Sequence, residues 1–275
     1  MKKSFVSLLT IAAVTFGMVS CNGNKKQEAA QQDVEKEAVI AGEVSKSLLT
    51  AELKDETARF LKDVPPSDLP QKLSSGEVSI SVANTKFMLP INKMAELNTK
   101  TQKARACGMY FADLTMLRAM NKPTAEVKDA LTKLVTDLDM PFAIDIFKDA
   151  VPADASKAEL DKFIAARNKF VDALVENDKA DIALEMLGGT TVEYALIYAN
   201  PGLVVKGDAV SAGLSENMEK RLEIIQQITS DLAKYYPDLQ VLGSTIAPLK
   251  EMTVSVNMAR ESRAQIEEMR TTLLK

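Results

Sequence analysis

The chain has 275 residues, a formal charge of −4, two cysteines and no histidine. The lack of histidine excludes a Ser-His-Asp triad, a Cys-His pair and His-ligated zinc, haem or di-iron sites. The negative charge and the 5% aromatic content argue against nucleic-acid binding, which uses basic patches and stacking rings. An apolar fraction of 46% is typical of a globular protein with its own core.

The first 20 residues predict a secretory signal peptide. Lys2-Lys3 gives a positive start, and the apolar stretch Phe5–Val19 is too short to cross a membrane. The ending Met18-Val19-Ser20-Cys21 resembles the lipobox of bacterial lipoproteins, although Leu is usual at the position of Met18. This resemblance implies cleavage before Cys21 and acylation of that residue. The alternative is an ordinary signal peptide cut nearby, with Cys21 incidental.

Residues 21–47 then form a lipidated cysteine and a polar tether without aromatic residues. A flexible chain of this length spans about 28 Å, so the folded body can stand clear of the membrane. No acidic run follows Cys21 directly, and such a run is the export signal of some surface lipoproteins. We therefore expect anchoring to the outer membrane of a bacterial cell envelope, with the body facing the periplasm.

From residue 48 to the end, apolar residues follow helical spacing almost throughout. We predict one all-α domain, an up-and-down multi-helix bundle, because short connections favour antiparallel neighbours. The predicted helices, in chain order, span 48–64, 67–73, 95–120, 123–138, 141–150, 156–174, 182–199, 218–235, 239–252 and 258–273. Val78, Ile80 and Val82 alternate as in a strand, and residues 253–256 are the other strand candidate, so one short strand pair is also considered.

Helix 182–199 is apolar on nearly every side, which predicts a central, buried position. Its Gly188-Gly189 pair has two interpretations. The glycines end one helix and let the capping box Thr190–Glu193 start another, or they lie within one kinked helix and allow close approach of a neighbour.

Three charged residues occupy positions where a bundle expects apolar ones: Asp113, Arg167 and Glu193. A charge on a core seam is costly unless it is paired. We therefore predict that Arg167 contacts Asp113, Glu193 or both inside the bundle, since a guanidinium can serve two carboxylates. In the capping interpretation, Glu193 turns to the local backbone and Arg167 keeps Asp113.

Such a cluster has three possible roles. It is an ion-pair network that fixes helix register, or it is the polar floor of a ligand pocket whose wall includes Tyr110, Tyr194 and Tyr198. In the third role, its paired carboxylates perform acid–base chemistry, as in glycoside hydrolysis. Dinucleotide, Walker, nucleophile-elbow and EF-hand motifs are absent from the sequence, so we expect no cofactor and no metal.

The stretch from Gly108 to Leu114 resembles the Gly-x-Tyr-x-Ala-Asp-Leu segment of uncharacterised Bacteroidetes-type helical lipoproteins. The stretch Gly188–Glu193 is similar to a second segment of that family, in which Trp usually stands in place of Thr190. The resemblance implies an all-helical, envelope-anchored protein and implies no particular activity.

Taken together, the sequence predicts a lipid-anchored envelope protein that acts as a binding or interaction module for an envelope protein partner. The alternative is a helical bundle that binds a small ligand in a polar pocket around Arg167. A hydrolase is supported only by Asp113 and Glu193.

Overall fold

The computed structural model describes residues 48–81, 88–143 and 157–275. These residues form eleven α-helices, a 3-10 helix and two short strands. The helices are α1 Ala51–Asp63, α2 Leu69–Ser74, α3 Lys100–Ala119, α4 Ala125–Asp137, α5 Lys157–Glu176, α6 Ala180–Tyr198, α7 Asp208–Leu232, α8 Asp238–Ile246, α9 Leu249–Met252, α10 Val256–Glu261 and α11 Arg263–Leu273. The 3-10 helix is Ile91–Glu96, and the strands are β1 Val78–Ile80 and β2 Leu203–Val205. The all-α prediction, with one short strand pair, is confirmed.

Several predictions lie outside the described residues. They are the signal peptide, Cys21 and the tether, Val82 of the predicted strand, residues 144–150 of the predicted helix 141–150, and Ser156 at the start of the predicted helix 156–174. The described residues belong to one compact unit, Ser47–Lys275. Within them, no helix is both long enough and apolar enough to span a membrane.

Helix α1 ends where its sequence predicts and begins at Ala51, three residues after the predicted start. The Thr50 hydroxyl accepts a hydrogen bond from the Leu53 N–H at 3.3 Å and caps the first turn. The helix stops before Pro65-Pro66, because proline has no N–H and restricts the residue before it. Its last carbonyls are therefore left for side chains from other helices.

Helices α3 and α6 form the centre of the fold, and most of their residues are buried. Two glycines let their backbones meet: a Cβ on Gly108 would lie 1.8 Å from the Met186 carbonyl oxygen, and one on Gly189 would lie 2.1 Å from the Arg105 carbonyl oxygen. The close-approach interpretation of the glycine pair is confirmed. The helix-break interpretation is wrong, because α6 continues through both glycines and the Thr190 hydroxyl donates to the Met186 carbonyl at 2.8 Å.

The predicted strand pair exists with a different partner. β1 pairs in antiparallel fashion with β2, with Val78 opposite Val205 and Ile80 opposite Leu203. The candidate partner at residues 253–256 is wrong, since Val256 begins α10. Strand β2 lies between the predicted helices 182–199 and 218–235, and α7 already begins at Asp208. Three-residue strands carry too little alternation for the sequence to choose between candidates.

The last third of the chain has shorter helices than predicted. The expected helix 239–252 is divided into α8 and α9 at Pro248, which cannot donate the helical hydrogen bond. The expected helix 258–273 is divided into α10 and α11 at Ser262. Helices α8 and α11 both contact α6, so the C-terminal part completes the wall around the central pair.

Candidate functional site

Asp113 of α3 and Glu193 of α6 lie together in the core, and both are 0% exposed. Their cationic partner is Arg270 of α11, whose Nη1 donates to the two Glu193 oxygens at 3.0 and 3.4 Å. Asp113 Oδ2 accepts from the Leu89 backbone N–H at 3.0 Å, while Oδ1 has no N–H or hydroxyl donor. The Oδ1 oxygen is therefore the one available for a carboxyl–carboxylate hydrogen bond to Glu193.

The two buried carboxyl groups both have raised pKa values. Burial, and secondarily the Glu193 charge, raises the pKa of Asp113 well above its ordinary value. Burial also raises the pKa of Glu193 to about 7, against the opposing pull of Arg270 and of the hydrogen bond from Asp113. The contact between the two carboxyl groups raises the pKa of Asp113 and lowers that of Glu193, so Asp113 holds a proton more readily than Glu193 does. Helix positions 80 residues apart are thus joined by an acid pair that contacts one guanidinium.

Arg167 does not join this cluster, so the predicted pairing of Arg167 with Asp113 or Glu193 is wrong. Its Nη1 donates to the Val64 carbonyl at 2.5 Å, and its Nη2 donates to the Lys62 carbonyl. These are the carbonyls left unpaired at the C-terminal end of α1, where helix geometry provides acceptors and a partial negative charge. Arg270, which the sequence analysis did not select, takes the predicted place of Arg167 beside Glu193.

Arg167 instead lines a pocket of about 110 Å³ between α1, α3, α5, α6 and α7. The lining is mostly apolar and aromatic, with two arginines and three hydroxyl residues. The lining residues are Leu61, Pro66, Ser67, Phe111, Phe163, Arg167, Phe170, Val171, Leu174, Ala183, Met186, Leu187, Thr190, Tyr194 and Arg221. The rings of Phe111 and Phe163 stack with centroids 6.3 Å apart. An apolar cavity with few polar groups is the usual form of a small-molecule site.

Arg221 of α7 is the second arginine of the pocket and is 3% exposed. Its Nη1 donates to the Pro65 carbonyl, and its Nη2 donates to the Thr191 hydroxyl at 3.2 Å. Its guanidinium carbon lies 5.9 Å from the centre of the Tyr194 ring. Burial lowers the pKa of Arg221 to about 10, so the side chain keeps its charge at neutral pH.

A second buried ion pair joins α3 and α6. Arg105 donates from Nε to Glu185 at 2.6 Å and from Nη2 at 3.1 Å, a two-point contact with both side chains under 8% exposed. Arg105 contacts Glu185 and Asp113 contacts Glu193, and the two residues of each pair are 80 positions apart in the sequence. The two helices therefore run in the same direction, with about 12 Å between the pairs along the axis.

Of the three tyrosines predicted near a pocket wall, Tyr194 lines the pocket. Its hydroxyl is 2.6 Å from the Thr115 hydroxyl. Tyr110 is elsewhere in the core, where it donates to the Pro90 carbonyl at 3.0 Å. Tyr198 is hydrogen-bonded to Ser215 at 2.9 Å. Tyr110 and Tyr198 do not line this pocket, so the prediction that they form its wall is wrong for it.

Sequence reasoning missed Arg221 and Arg270, although both interrupt an apolar stripe. Arg221 lies between Met218 and Ile225, at spacings of three and four. Arg270 lies between Ile266 and Leu273 at spacings of four and three. The same test that selected Asp113 and Arg167 would have found them.

Comparisons with protein-family models, curated proteins and solved structures find no match to the chain. In the described residues, no group of three or more acidic or cysteine side chains is placed to hold a metal.

Proposed function

We propose that this chain is a lipid-anchored protein of the bacterial cell envelope whose helical body binds a small ligand in the pocket beside Arg167 and Arg221. The anchor rests on the likeness of residues 18–21 to a lipobox and on the family resemblance. The binding activity rests on one observation: an apolar pocket in the bundle is lined by two guanidinium groups. A buried positive charge at an apolar site is costly, and a ligand is one means of offsetting that cost.

The other two candidate functions lack an observation of this kind. The large apolar side chains exposed in the described residues are distributed over four segments: Leu48, Val204, Val241, Val254 and Met258. Single exposed apolar residues are ordinary and select no face for a protein partner. Acid–base hydrolysis by Asp113 and Glu193 would need an open cleft, whereas both carboxyl groups are fully buried and Glu193 is bonded to Arg270.

A pocket-filling variant tests the proposal. Ala183 lines the pocket, so Ala183→Met should occupy the space that a ligand needs. Ala264→Met is the matched control, because Ala264 is exposed on α11. Full-length protein in detergent is titrated calorimetrically with benzoate and with benzyl alcohol, two probes built on one ring. We expect at least one probe to bind the wild type and the control, and neither to bind Ala183→Met. Failure of both probes with the wild type would overturn the proposal.

A further inference from the structure

Two positively charged groups line the pocket without a carboxylate partner. Neither Arg167 nor Arg221 has an Asp or Glu oxygen within 4.0 Å among the described residues. Their nearest acidic influences are longer-range ones, from Asp63 on Arg167 and from Asp68 on Arg221. The two guanidiniums also repel each other, because each is within electrostatic reach of the other. The pocket therefore carries positive charge that its own side chains do not neutralise at contact distance.

Hydrogen bonds from the two arginines to main-chain carbonyls offset only part of that positive charge. Arg167 and Arg221 together hold the carbonyls of Lys62, Val64 and Pro65, at and just after the end of α1. The C-terminus of a helix carries about half of one negative charge. Half a charge does not balance two guanidiniums, so a net positive charge remains at the pocket wall.

Both arginines keep N–H donors for a ligand. Each Nη atom carries two N–H groups and makes one hydrogen bond, and the Nε atom of each arginine is buried and has no hydrogen-bond partner. Among the pocket hydroxyls, Thr190 donates to Met186, Tyr194 is bonded to Thr115, and Ser67 accepts from the Leu69 N–H. Guanidinium donors bind the oxygens of a carboxylate or of a phosphate. The small volume of the pocket favours the carboxylate, which is the smaller of the two head groups.

The cavity also limits the rest of the ligand. A dry cavity of about 150 Å³ accepts benzene, and this pocket of about 110 Å³ is slightly smaller. Its lining outside the arginines is dominated by phenylalanine, leucine, valine and methionine. The apolar body of a ligand is therefore no larger than about one benzene ring.

We infer that the ligand is a small monocarboxylate with an apolar chain or ring, its carboxylate facing Arg167 and Arg221 and its body among the phenylalanines. The inference rests on the proposed function, since it specifies the ligand of the same pocket. Because the Nε atoms expose almost no surface, the carboxylate reaches them after a small rotation of the guanidinium groups. In a low-dielectric pocket, such a charge-assisted contact is stronger than one between neutral groups.

The test compares three probes with one ring and different head groups: benzoate, benzyl alcohol and phenyl phosphate. Each is titrated calorimetrically into the full-length protein in detergent at fixed salt. We expect benzoate to bind at least tenfold more tightly than either of the other two. Equal or tighter binding of benzyl alcohol would overturn the carboxylate inference and leave the pocket function intact. Tighter binding of phenyl phosphate would replace the carboxylate with a phosphate. Binding of none would overturn the inference and the proposed function together.

Variants of the two arginines test the effect of their charge on ligand binding separately from any effect on folding. Arg167→Met removes a charge that is only partly buried, and Arg221→Lys keeps a charge but loses the Nε donor. We expect each variant to weaken benzoate binding at least tenfold and to leave benzyl alcohol binding within twofold of the wild type, measured with protein whose circular dichroism matches the wild type. An unchanged benzoate affinity in both variants would contradict the assignment of the arginines.

Discussion

The carboxyl group of Asp113 lies against that of Glu193 in the core, and Arg270 supplies the only side-chain cation bonded to the pair among the described residues. This contact joins three helices that are distant in sequence: α3, α6 and α11. One guanidinium faces two buried carboxyl groups whose pKa values are both raised, which limits the negative charge in the core. The relationship explains how two fully buried acids persist in the centre of a bundle.

Because burial raises the pKa of Glu193 to about 7, its contribution to stability depends on pH. Between the ordinary value of 4.5 and 7, the folded state binds more protons than the unfolded state, so stability falls as pH rises through this window. The raised pKa of Asp113 acts in the same direction. Urea unfolding from pH 4.5 to 7.5 should show the wild type losing stability relative to Glu193→Gln. A difference between the two proteins that stays constant with pH would contradict the shifted pKa.

Removal of Arg270 should be costly because it leaves the Glu193 charge buried without a cation. We expect Arg270→Met to lower the free energy of unfolding by roughly 3–5 kcal/mol. In a Glu193→Gln background, the same substitution should cost much less, since no buried charge is left unpaired. Chemical denaturation of the two single variants and the double variant measures this coupling. Additive effects would mean that the two side chains do not depend on each other.

Gly108 lets the backbones of α3 and α6 approach closely. Gly108→Ala would place a Cβ 1.8 Å from the Met186 carbonyl oxygen, so α3 and α6 would have to separate. We expect a loss of about 3 kcal/mol or more in thermal or urea unfolding. Gly213 of α7 is the control, because a Cβ there meets nothing within 4 Å. Gly213→Ala should stabilise by about 1 kcal/mol, the difference in helix propensity. Equal effects at both positions would contradict the close packing.

The lipid anchor is tested by Cys21→Ala. If acylation of Cys21 holds the protein, the variant should move from the membrane fraction to the soluble fraction, as detected by immunoblotting after ultracentrifugation. Cys107→Ala is the control, because Cys107 is buried in α3 and should have no effect on fractionation. A Cys21→Ala protein that still sediments with membranes would mean that another contact holds it there.

Most of the fold is predictable because helix periodicity and helix ends are local properties. Pro65-Pro66 ends α1, and the spacing of apolar residues defines α3 to α6 to within about five residues, whereas α7 begins ten residues before its predicted start. The partner of β1 was predicted wrongly for the opposite reason, since the contact between Val78 and Val205 depends on the whole fold. The helical spacing of apolar residues continues across Pro248 and Ser262. The sequence therefore predicted one helix in each place where the structure has two.

The candidate site was only half predictable. The cost of burying charge correctly identified Asp113 and Glu193 as core residues, and it identified Arg167 as a residue with a buried partner. It could not identify that partner, because an arginine binds the main-chain carbonyls at a helix end as readily as it binds a carboxylate. Applying the same criterion to Arg221 would have placed a second arginine in the core, but its position beside Arg167 depends on the packing of both α5 and α7 against α1.

The most direct measurement of the central claim uses methyl NMR of the full-length protein with labelled methionine methyl groups. Met186 lines the pocket, whereas Met116 is fully buried in α3 and does not line it. On addition of benzoate, we predict a saturable shift of the Met186 resonance with no change at Met116, and no shift of Met186 when benzoate is added to Arg221→Lys at the same concentration. A Met186 resonance that stays in place while benzoate is added to the wild type would contradict the account.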